Sequence, residues 1–275
     1  MDIKSLLDQP HKLPNVPAVT QKLIASFSDE DVSFKLIAEQ ISADPALSAK
    51  LLRLANSAYF HLSRTIGSVD EALQMLGFVM VRNLVLGNGM SHAFRNTKGM
   101  DLHQFWRYNL YTASGSRWLA NEVDANSDLV FTVGLMHGLG QLQMHVAAPA
   151  EVAPLDKACG VLDAGRAALE KEQLGFHYGD VAAELAAMWN FPQPIVEALR
   201  HVPQPLEASE FSQAAACVHL GSWLARNAVA KATEEQMKAS FPNDVAHKIG
   251  ASWELMSQQM PPVTELSAGL EDMLA

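Results

Sequence analysis

Apolar residues recur at helical spacing behind the dipeptide Asp44-Pro45, and this pattern limits the fold more than any other feature of the chain. Aspartate can cap the free backbone N–H groups of a helix, and proline suits the first helical position. The apolar residues then follow at i, i+4, i+7, i+8 and i+11, namely Leu47, Leu51, Leu54, Ala55 and Ala58. This spacing predicts one face of an amphipathic helix that packs against a core.

Start and stop signals of the same kind divide much of the remaining chain into helices. Ser68 and Glu71 have the spacing of a capping box before an apolar run. The Val-rich segment 78–86 is also interpreted as helix, because Arg82 and Asn83 interrupt any alternation typical of a strand. Further helices are predicted over residues 106–123, 128–139, 177–189, 192–201 and 211–230, the second of them with Gly140 near its end. No series of short alternating segments is seen, so the sequence predicts an all-α fold.

The charge balance argues against nucleic acid as a partner. Thirty acidic residues against 20 Lys and Arg give a formal net charge of -10, and the average field of such a chain repels a phosphate backbone. No apolar stretch approaches the roughly 20 residues that span a bilayer, and no signal peptide is recognised. Cys159 and Cys217 lack metal-ligand spacing, so we expect two packed, reduced thiols. A cytoplasmic protein without a membrane partner is therefore expected.

Three of the ten histidines stand in contexts that resemble those of metal-dependent phosphohydrolases of the HD superfamily. They are His137 in the string GLMHGLG, His177 in GFHYGDVA and His201 in ALRHVP. A single histidine is most often a surface residue or a hydrogen-bonded core residue, so the surrounding chain has to support any functional interpretation.

The N-terminal half carries a more specific resemblance. Residues 13–17 read LPNVP, residues 44–48 read DPALS, residues 51–60 read LLRLANSAYF and residues 66–73 read IGSVDEAL. These strings are similar to the HDOD family, the HD-related output domains of bacterial signalling proteins, and the similarity runs from about residue 13 to about residue 225. The resemblance implies an N-terminal helical subdomain packed on a C-terminal bundle derived from the HD hydrolase fold.

This resemblance and the polar stretch 95–101 together suggest how the chain is organised. We expect a single HDOD-type protein over residues 1–275. Its front helical subdomain would cover about 1–97, its HD-like bundle about 98–232 and a C-terminal helical appendage about 233–275.

The resemblance also implies where metal ligands of an HD hydrolase would stand. The early histidine of the long helix corresponds to Tyr108, the His-Asp pair to His137-Gly138, and the distal aspartate to Ser222. A phenol and a serine hydroxyl are weak ligands at neutral pH, and glycine offers no side chain. We therefore expect no catalytic residues, no bound metal and no cofactor.

Another use of the histidines is a small-ligand pocket built from His137, His177 and His201. If the three converge, Zn or Ni would suit them better than Mg, because imidazole is a softer ligand than carboxylate. Simpler interpretations stay open for each of them. His137 would keep a hydrogen bond of an ancestral site, His177 would cap the helix that follows it, and His201 would be partly exposed.

Three functions are consistent with these observations. The leading one is a non-enzymatic bacterial signal-transduction output or scaffold domain that binds signalling proteins, with a small ligand as a further partner. The resemblance implies a family whose members often lie beside receiver or nucleotide-signalling domains. No such domain is recognised in this sequence, so we expect the input signal to come from a separate protein. The alternatives are a metal-dependent phosphohydrolase acting on a nucleotide or phosphoester, and a nucleotide-binding sensor without turnover.

Overall fold

The computed structural model describes residues 2–9, 12–14, 16–25, 34–57, 60 and 64–271. Over these residues the regular structure is helical and no strand occurs, as the sequence predicts. Three residues of the N-terminal motifs, Asn15, Ala58 and Tyr59, lie outside the described residues.

The helices of the described residues are numbered in chain order. The first five are α1 (Ile3–Leu7), α2 (Ala18–Ala25), α3 (Phe34–Ser42), α4 (Pro45–Ala55) and α5 (Val69–Ala93). The next eight are α6 (Leu102–Glu122), α7 (Ser127–Met136), α8 (Leu139–Ala147), α9 (Pro149–Ala158), α10 (Arg166–Leu174), α11 (Tyr178–Met188), α12 (Gln193–His201) and α13 (Gln213–Ala230). Four short helices complete the chain, α14 (Glu234–Ala239), α15 (Asn243–Lys248), α16 (Trp253–Gln258) and α17 (Val263–Leu266).

The helix behind Asp44 forms as predicted. Oδ1 of Asp44 accepts hydrogen bonds from the backbone N–H groups of Ala46 and Leu47, at 3.0 and 3.1 Å. Leu51 and the other described residues of the apolar face are buried. At the far end, the Asn56 amide donates to the Ile66 carbonyl oxygen and accepts from the Ile66 N–H, at 2.9 and 2.7 Å. Asn56 thereby ties the connection before α5 to the end of α4.

The Val-rich segment lies within α5, so its interpretation as helix is confirmed. Ser68 caps this helix, and the Glu71 carboxylate accepts from the N–H of Gly67, one residue before the position a capping box would use. Gly77 bends the helix with φ 74° and ψ 161°, a conformation that residues with a Cβ rarely adopt.

The predicted helix over residues 128–139 is correct as far as residue 136 and wrong in its continuation to residue 139. α7 ends at Met136 and α8 begins at Leu139, so His137 and Gly138 form the junction between two helices. Gly140 does not end a helix, because it lies within α8 where that helix touches α11. A Cβ on Gly140 would come within 2.9 Å of the Ala182 backbone nitrogen. The absence of a side chain at Gly140 therefore lets α8 and α11 pack closely.

Close helix crossings also surround α6, which packs against both α7 and α13. A Cβ on Gly134 of α7 would lie 2.7 Å from the Ala113 Cα atom. A Cβ on Gly221 of α13 would lie 2.8 Å from the Thr112 carbonyl oxygen. The backbones of these three helices therefore approach closely, and Tyr108, His137 and Ser222 lie on or beside them.

The segment between α5 and α6 coincides with the polar stretch at residues 95–101. The division of the chain into front and back subdomains at this stretch stays a prediction. A buried hydrogen bond of 2.9 Å from the Thr132 hydroxyl of α7 to Asn83 Oδ1 of α5 links the two parts. Over the part of the chain that the structure describes, none of the helices has the length and apolarity needed to cross a bilayer.

Candidate functional site

Tyr108 and His137 form a buried pair between α6 and the junction of α7 and α8. Nδ1 of His137 lies 2.7 Å from the Gly134 carbonyl oxygen, which can only accept, so Nδ1 carries the hydrogen. Nε2 is then an acceptor, and the Tyr108 hydroxyl donates to it at 3.1 Å. The lone pair through which a histidine would bind a metal is therefore engaged by a phenol of the same chain.

The His137 ring is neutral at physiological pH. Its side chain is 1% exposed, and burial lowers its pKa to about 4, although the bond to Gly134 acts in the opposite direction. The charge of Arg226 lowers this pKa further. A second phenol, that of Tyr178, lies near Tyr108, and burial raises the pKa of Tyr178 above its usual value. Aromatic rings therefore fill this part of the interior.

Two side chains of α6 lie close to Gly138, where an acid would complete a His-Asp pair. Its N–H donates to Asn109 Oδ1 at 3.3 Å. A Cβ at this position would lie 2.6 Å from Cζ of Phe105 and 2.8 Å from Asn109 Oδ1. Both neighbours are buried, so two side chains of α6 occupy the volume that an aspartate would need.

Ser222 is buried beside a cation. Its hydroxyl donates to the His219 carbonyl oxygen at 2.8 Å and accepts from Nη1 of Arg226 at 3.1 Å. Among the described residues, no carboxylate lies within 4.0 Å of the Arg226 guanidinium. Where the resemblance implies an acidic ligand, the chain thus presents a hydroxyl and a positive charge.

The sequence interpretation missed Arg226 and His219. On α13, His219 stands at position i, Ser222 at i+3 and Arg226 at i+7. This spacing places the three side chains on one face of the helix. Asn109 was also missed, and it stands directly after Tyr108. The helical spacing around Ser222 was the available signal for the first two.

The donor set does not suit a divalent metal ion. It consists of an engaged imidazole, a phenol, a hydroxyl and a guanidinium, and none of these described donors is a carboxylate that would offset the charge of a metal. Within the described ranges, no group of three or more His, Cys, Asp or Glu side chains is placed to hold a metal ion.

Among the described residues, His177 and His201 form no metal-binding group with His137. Nδ1 of His177 accepts from the Asp180 N–H at 3.2 Å, and the Asp180 carboxylate accepts from the His177 N–H at 3.0 Å, so His177 caps α11. Burial lowers the pKa of His177, and His201 is close enough to lower it further. His201 is half-buried, 3.8 Å from Glu197, and borders a cavity that neither other histidine lines. The structure therefore does not bring the three imidazoles together around one metal ion.

A cavity of about 750 Å³ opens beside Arg226. It lies between the start of α6, the connection at residues 160–164, α13 and the segment at residues 240–242. Arg226, His219, Asp101, Asp163 and Phe105 are among its lining residues. The degenerate ligand positions therefore adjoin a cavity large enough for a small molecule.

A buried charge network holds the connection that borders this cavity. Arg166 donates through Nε to Glu170 Oε1 at 2.8 Å and through Nη1 to both Asp156 Oδ1 and the Cys159 carbonyl oxygen, at 2.7 and 2.8 Å. His145 contacts the other oxygen of Asp156 at 3.0 Å. The network joins α8, α9 and α10, and through Cys159 it fixes the start of the connection at residues 160–164.

The described residues form an all-helical fold with a histidine at the junction of α7 and α8, as the resemblance to HD-related domains implies. The HDOD domain model matches residues 13–205, and the chain belongs to the HDOD family. The match ends about 20 residues before the limit that the sequence resemblance suggested.

Solved structures of similar proteins share the fold. A candidate phosphohydrolase from Shewanella amazonensis SB2B is 26% identical, with a TM-score of 0.80 and 98% of each chain covered. A candidate signal transduction protein from Marinobacter aquaeolei VT8 is 22% identical with a TM-score of 0.77, covering 98% of this chain and 61% of that one. An HDOD domain protein of unknown function from Geobacter sulfurreducens is 19% identical with a TM-score of 0.71, covering 99% and 91%.

An uncharacterised protein of Treponema pallidum (strain Nichols) is 24% identical over 198 residues. The aligned region is 71% of this chain and 38% of that protein, so the chain spans well under half the length of this curated relative.

Proposed function

We propose that this chain is a signal-transduction output domain that binds a signalling protein and performs no turnover. The observation that carries the proposal is the hydrogen bond from the Tyr108 hydroxyl to His137 Nε2. A hydrolase of this class needs an imidazole lone pair and an adjacent carboxylate to hold the ion that activates water. Here the phenol occupies the lone pair, and Phe105 and Asn109 occupy the place of the carboxylate.

The same geometry supports the absence of a general base at this centre. A base must have a free lone pair within reach of the proton that it abstracts. The Nδ1 of His137 carries a hydrogen toward Gly134, and its Nε2 already accepts one from Tyr108. The ring is also shielded from solvent, so a water molecule would first have to displace a phenol.

A metal-dependent phosphohydrolase acting on a nucleotide or phosphoester is the second candidate. The similarity to the Shewanella protein, described as a candidate phosphohydrolase, favours it. A nucleotide-binding sensor without turnover is the third, and the cavity beside Arg226 favours that one. The three candidates differ in whether phosphate is released and in whether a small molecule binds.

Phosphate release separates the first candidate from the second. The full chain is incubated with 4-nitrophenyl phosphate, ATP and a cyclic dinucleotide, each with Mg, Mn, Fe, Co, Ni or Zn. We expect release no faster than that of the His137→Ala variant under any condition. Turnover that depends on metal, disappears in His137→Ala and persists in the control variant His201→Ala would contradict the proposal.

Partner binding is tested by capture at near-native expression, followed by reconstitution. A captured protein supports the proposal only when it binds the purified chain directly, with saturable affinity. We expect such a partner to bind wild-type chain and His137→Ala alike, because His137 is buried. The absence of any partner that reproduces with purified components would count against an output role.

A further inference from the structure

We propose that the cavity beside Arg226 binds the phosphate monoester of a small hydroxylated molecule, such as a sugar phosphate, without a metal ion. The cavity holds about 750 Å³, which suits a ligand of this size. This inference rests on the proposed function in one respect only, that the bound ester is not hydrolysed.

The charge of Arg226 is the first argument. Its guanidinium is half-buried, and over the described part of the chain no carboxylate lies within 4.0 Å of it. It donates one hydrogen bond to the neutral Ser222 hydroxyl. A guanidinium has five N–H donors in a planar fork, and this geometry matches phosphate oxygens. A partly desolvated cation that faces a cavity is stabilised when an anion enters.

His219 supplies an acceptor to the same cavity. Its Nδ1 lies 2.9 Å from the Val202 carbonyl oxygen and therefore carries the hydrogen, which leaves Nε2 as an acceptor. Burial lowers the pKa of His219 to about 4, and Arg226 contributes in the same direction, so the ring is neutral. A hydroxyl group of the ligand, or that of a singly protonated phosphate, can donate to this nitrogen.

Two carboxylates on the cavity lining select for hydroxyl groups. Asp101 Oδ1 accepts from the Gln104 N–H at 3.0 Å, and Asp163 Oδ2 accepts from the Gly160 N–H at 2.6 Å. Each carboxylate keeps further acceptor capacity. They repel a bare anion but accept hydrogen bonds from sugar hydroxyls, so a ligand with an anionic end and a hydroxylated end fits better than inorganic phosphate.

The connection that carries Asp163 is held in place. Nε2 of Gln141 on α8 donates to the Val161 carbonyl oxygen at 2.7 Å, and Arg166 donates to the Cys159 carbonyl oxygen at 2.8 Å. The lining is therefore largely formed before a ligand arrives, which reduces the ordering that binding requires.

Calorimetric titration of the full chain with ribose 5-phosphate, inorganic phosphate and ribose tests the inference, with EDTA present throughout. We expect saturable binding of ribose 5-phosphate, weaker binding of phosphate and none of ribose. Arg226→Gln should weaken ribose 5-phosphate binding at least roughly tenfold. Arg226→Lys should weaken it less, because the charge is kept. Arg107→Gln removes an exposed arginine from α6 and should leave binding unchanged.

Several outcomes would overturn the inference. They are equal affinity of wild type and a folded Arg226→Gln, binding of ribose as tight as that of its phosphate, or no saturation by ribose 5-phosphate up to about 10 mM. Binding that is seen only in a parallel titration with added metal and no EDTA would also overturn it. If Arg226→Gln does not fold, Asp163→Asn decides. It should strengthen the binding of inorganic phosphate by removing a repulsive charge, and phosphate binding that is unchanged or weaker would overturn the inference. Release of phosphate from ribose 5-phosphate would contradict the proposed function and leave the binding site in place.

Discussion

The phenolic oxygen of Tyr108 and the Nε2 atom of His137 lie 3.1 Å apart in the interior, and each satisfies the other. The pair joins α6 to the junction of α7 and α8. If the two side chains bound a metal ion instead, each would lose the hydrogen bond that it now makes with the other. Stability measurements on single substitutions can therefore test whether the pair is an internal contact of the fold.

Tyr108→Phe removes the hydroxyl and leaves His137 Nε2 buried without its donor. We expect a loss of about 1–3 kcal/mol in the free energy of unfolding, measured by urea denaturation. Tyr111→Phe on the same helix is the matched control and should change it by less than about 0.5 kcal/mol. Equal effects of the two substitutions would mean that the hydrogen bond from Tyr108 to His137 contributes nothing to the free energy of unfolding.

Gly138→Asp restores the missing acid of the pair and should destabilise the fold without creating a metal site. The new Cβ meets Phe105 and Asn109, so we expect a cost of about 1–3 kcal/mol from overpacking. Titration with Zn should show no binding beyond that of wild type. Gly165→Asp is the control, because the nearest atom to a Cβ there is 3.9 Å away and aspartate suits the N-cap of α10. Tight, stoichiometric Zn binding by a stable Gly138→Asp variant would contradict this account.

Acid should destabilise the protein through His137. Its pKa is about 4 in the folded chain and 6.5 in the reference state, so the unfolded chain takes up the proton first as pH falls. The stabilisation is complete above pH 6.5, decreases between pH 6.5 and 4, and is constant below. From this residue we expect a loss of about 2 kcal/mol between pH 7 and pH 5.

Denaturation of His137→Gln at both pH values measures that contribution. In this variant, the difference in the free energy of unfolding between pH 7 and pH 5 should be smaller than in wild type by about 2 kcal/mol. His247→Gln replaces an exposed histidine and should leave the difference as it is in wild type. If the loss of stability between pH 7 and pH 5 is as large in His137→Gln as in wild type, another group dominates the acid response.

Arg166→Ala should be among the most destabilising single substitutions. It leaves Glu170 without its ion-pair partner, and both side chains are 1% exposed. Removal of one partner from a buried pair costs about 3–5 kcal/mol. Arg117→Ala breaks a pair whose side chains are 31% and 44% exposed, and it should cost less than about 1 kcal/mol. Comparable losses for the two would indicate that water reaches the Arg166 network.

Leu51→Ala tests the apolar face of α4. The side chain is fully buried, so truncation should cost about 2–5 kcal/mol. Leu206 is 47% exposed, and Leu206→Ala should change stability far less. A cost below about 1 kcal/mol at Leu51 would place the core on another face of the helix.

The sequence was sufficient for most helices, because their starts are local. Asp44, Ser68 and His177 each accept a hydrogen bond from a backbone N–H close behind them, and that chemistry is visible in the neighbouring residues. The break at His137 was not visible, since apolar residues continue on both sides of it. Gly140 was misread for a related reason, as its purpose depends on α11, a helix about 40 residues away in sequence.

The candidate site was predictable only in part. The family resemblance indicated the positions of Tyr108, His137 and Ser222, and the structure brings the first two into contact. It did not indicate which groups fill the space of a lost acid, because that depends on packing between α6 and the helix junction. The spacing of Arg226 from Ser222 indicated a shared helix face, but it did not indicate the cavity that Arg226 lines.

The packing of Asn109 and Phe105 against Gly138 also fixes the order in which a lineage could regain an acid at this position. A change of glycine to aspartate that came first would produce an overpacked, less stable protein. An aspartate that arrives after these neighbours have become smaller avoids that cost. The order of the changes therefore matters, because the same aspartate destabilises the protein when it comes first and is better tolerated when it comes last.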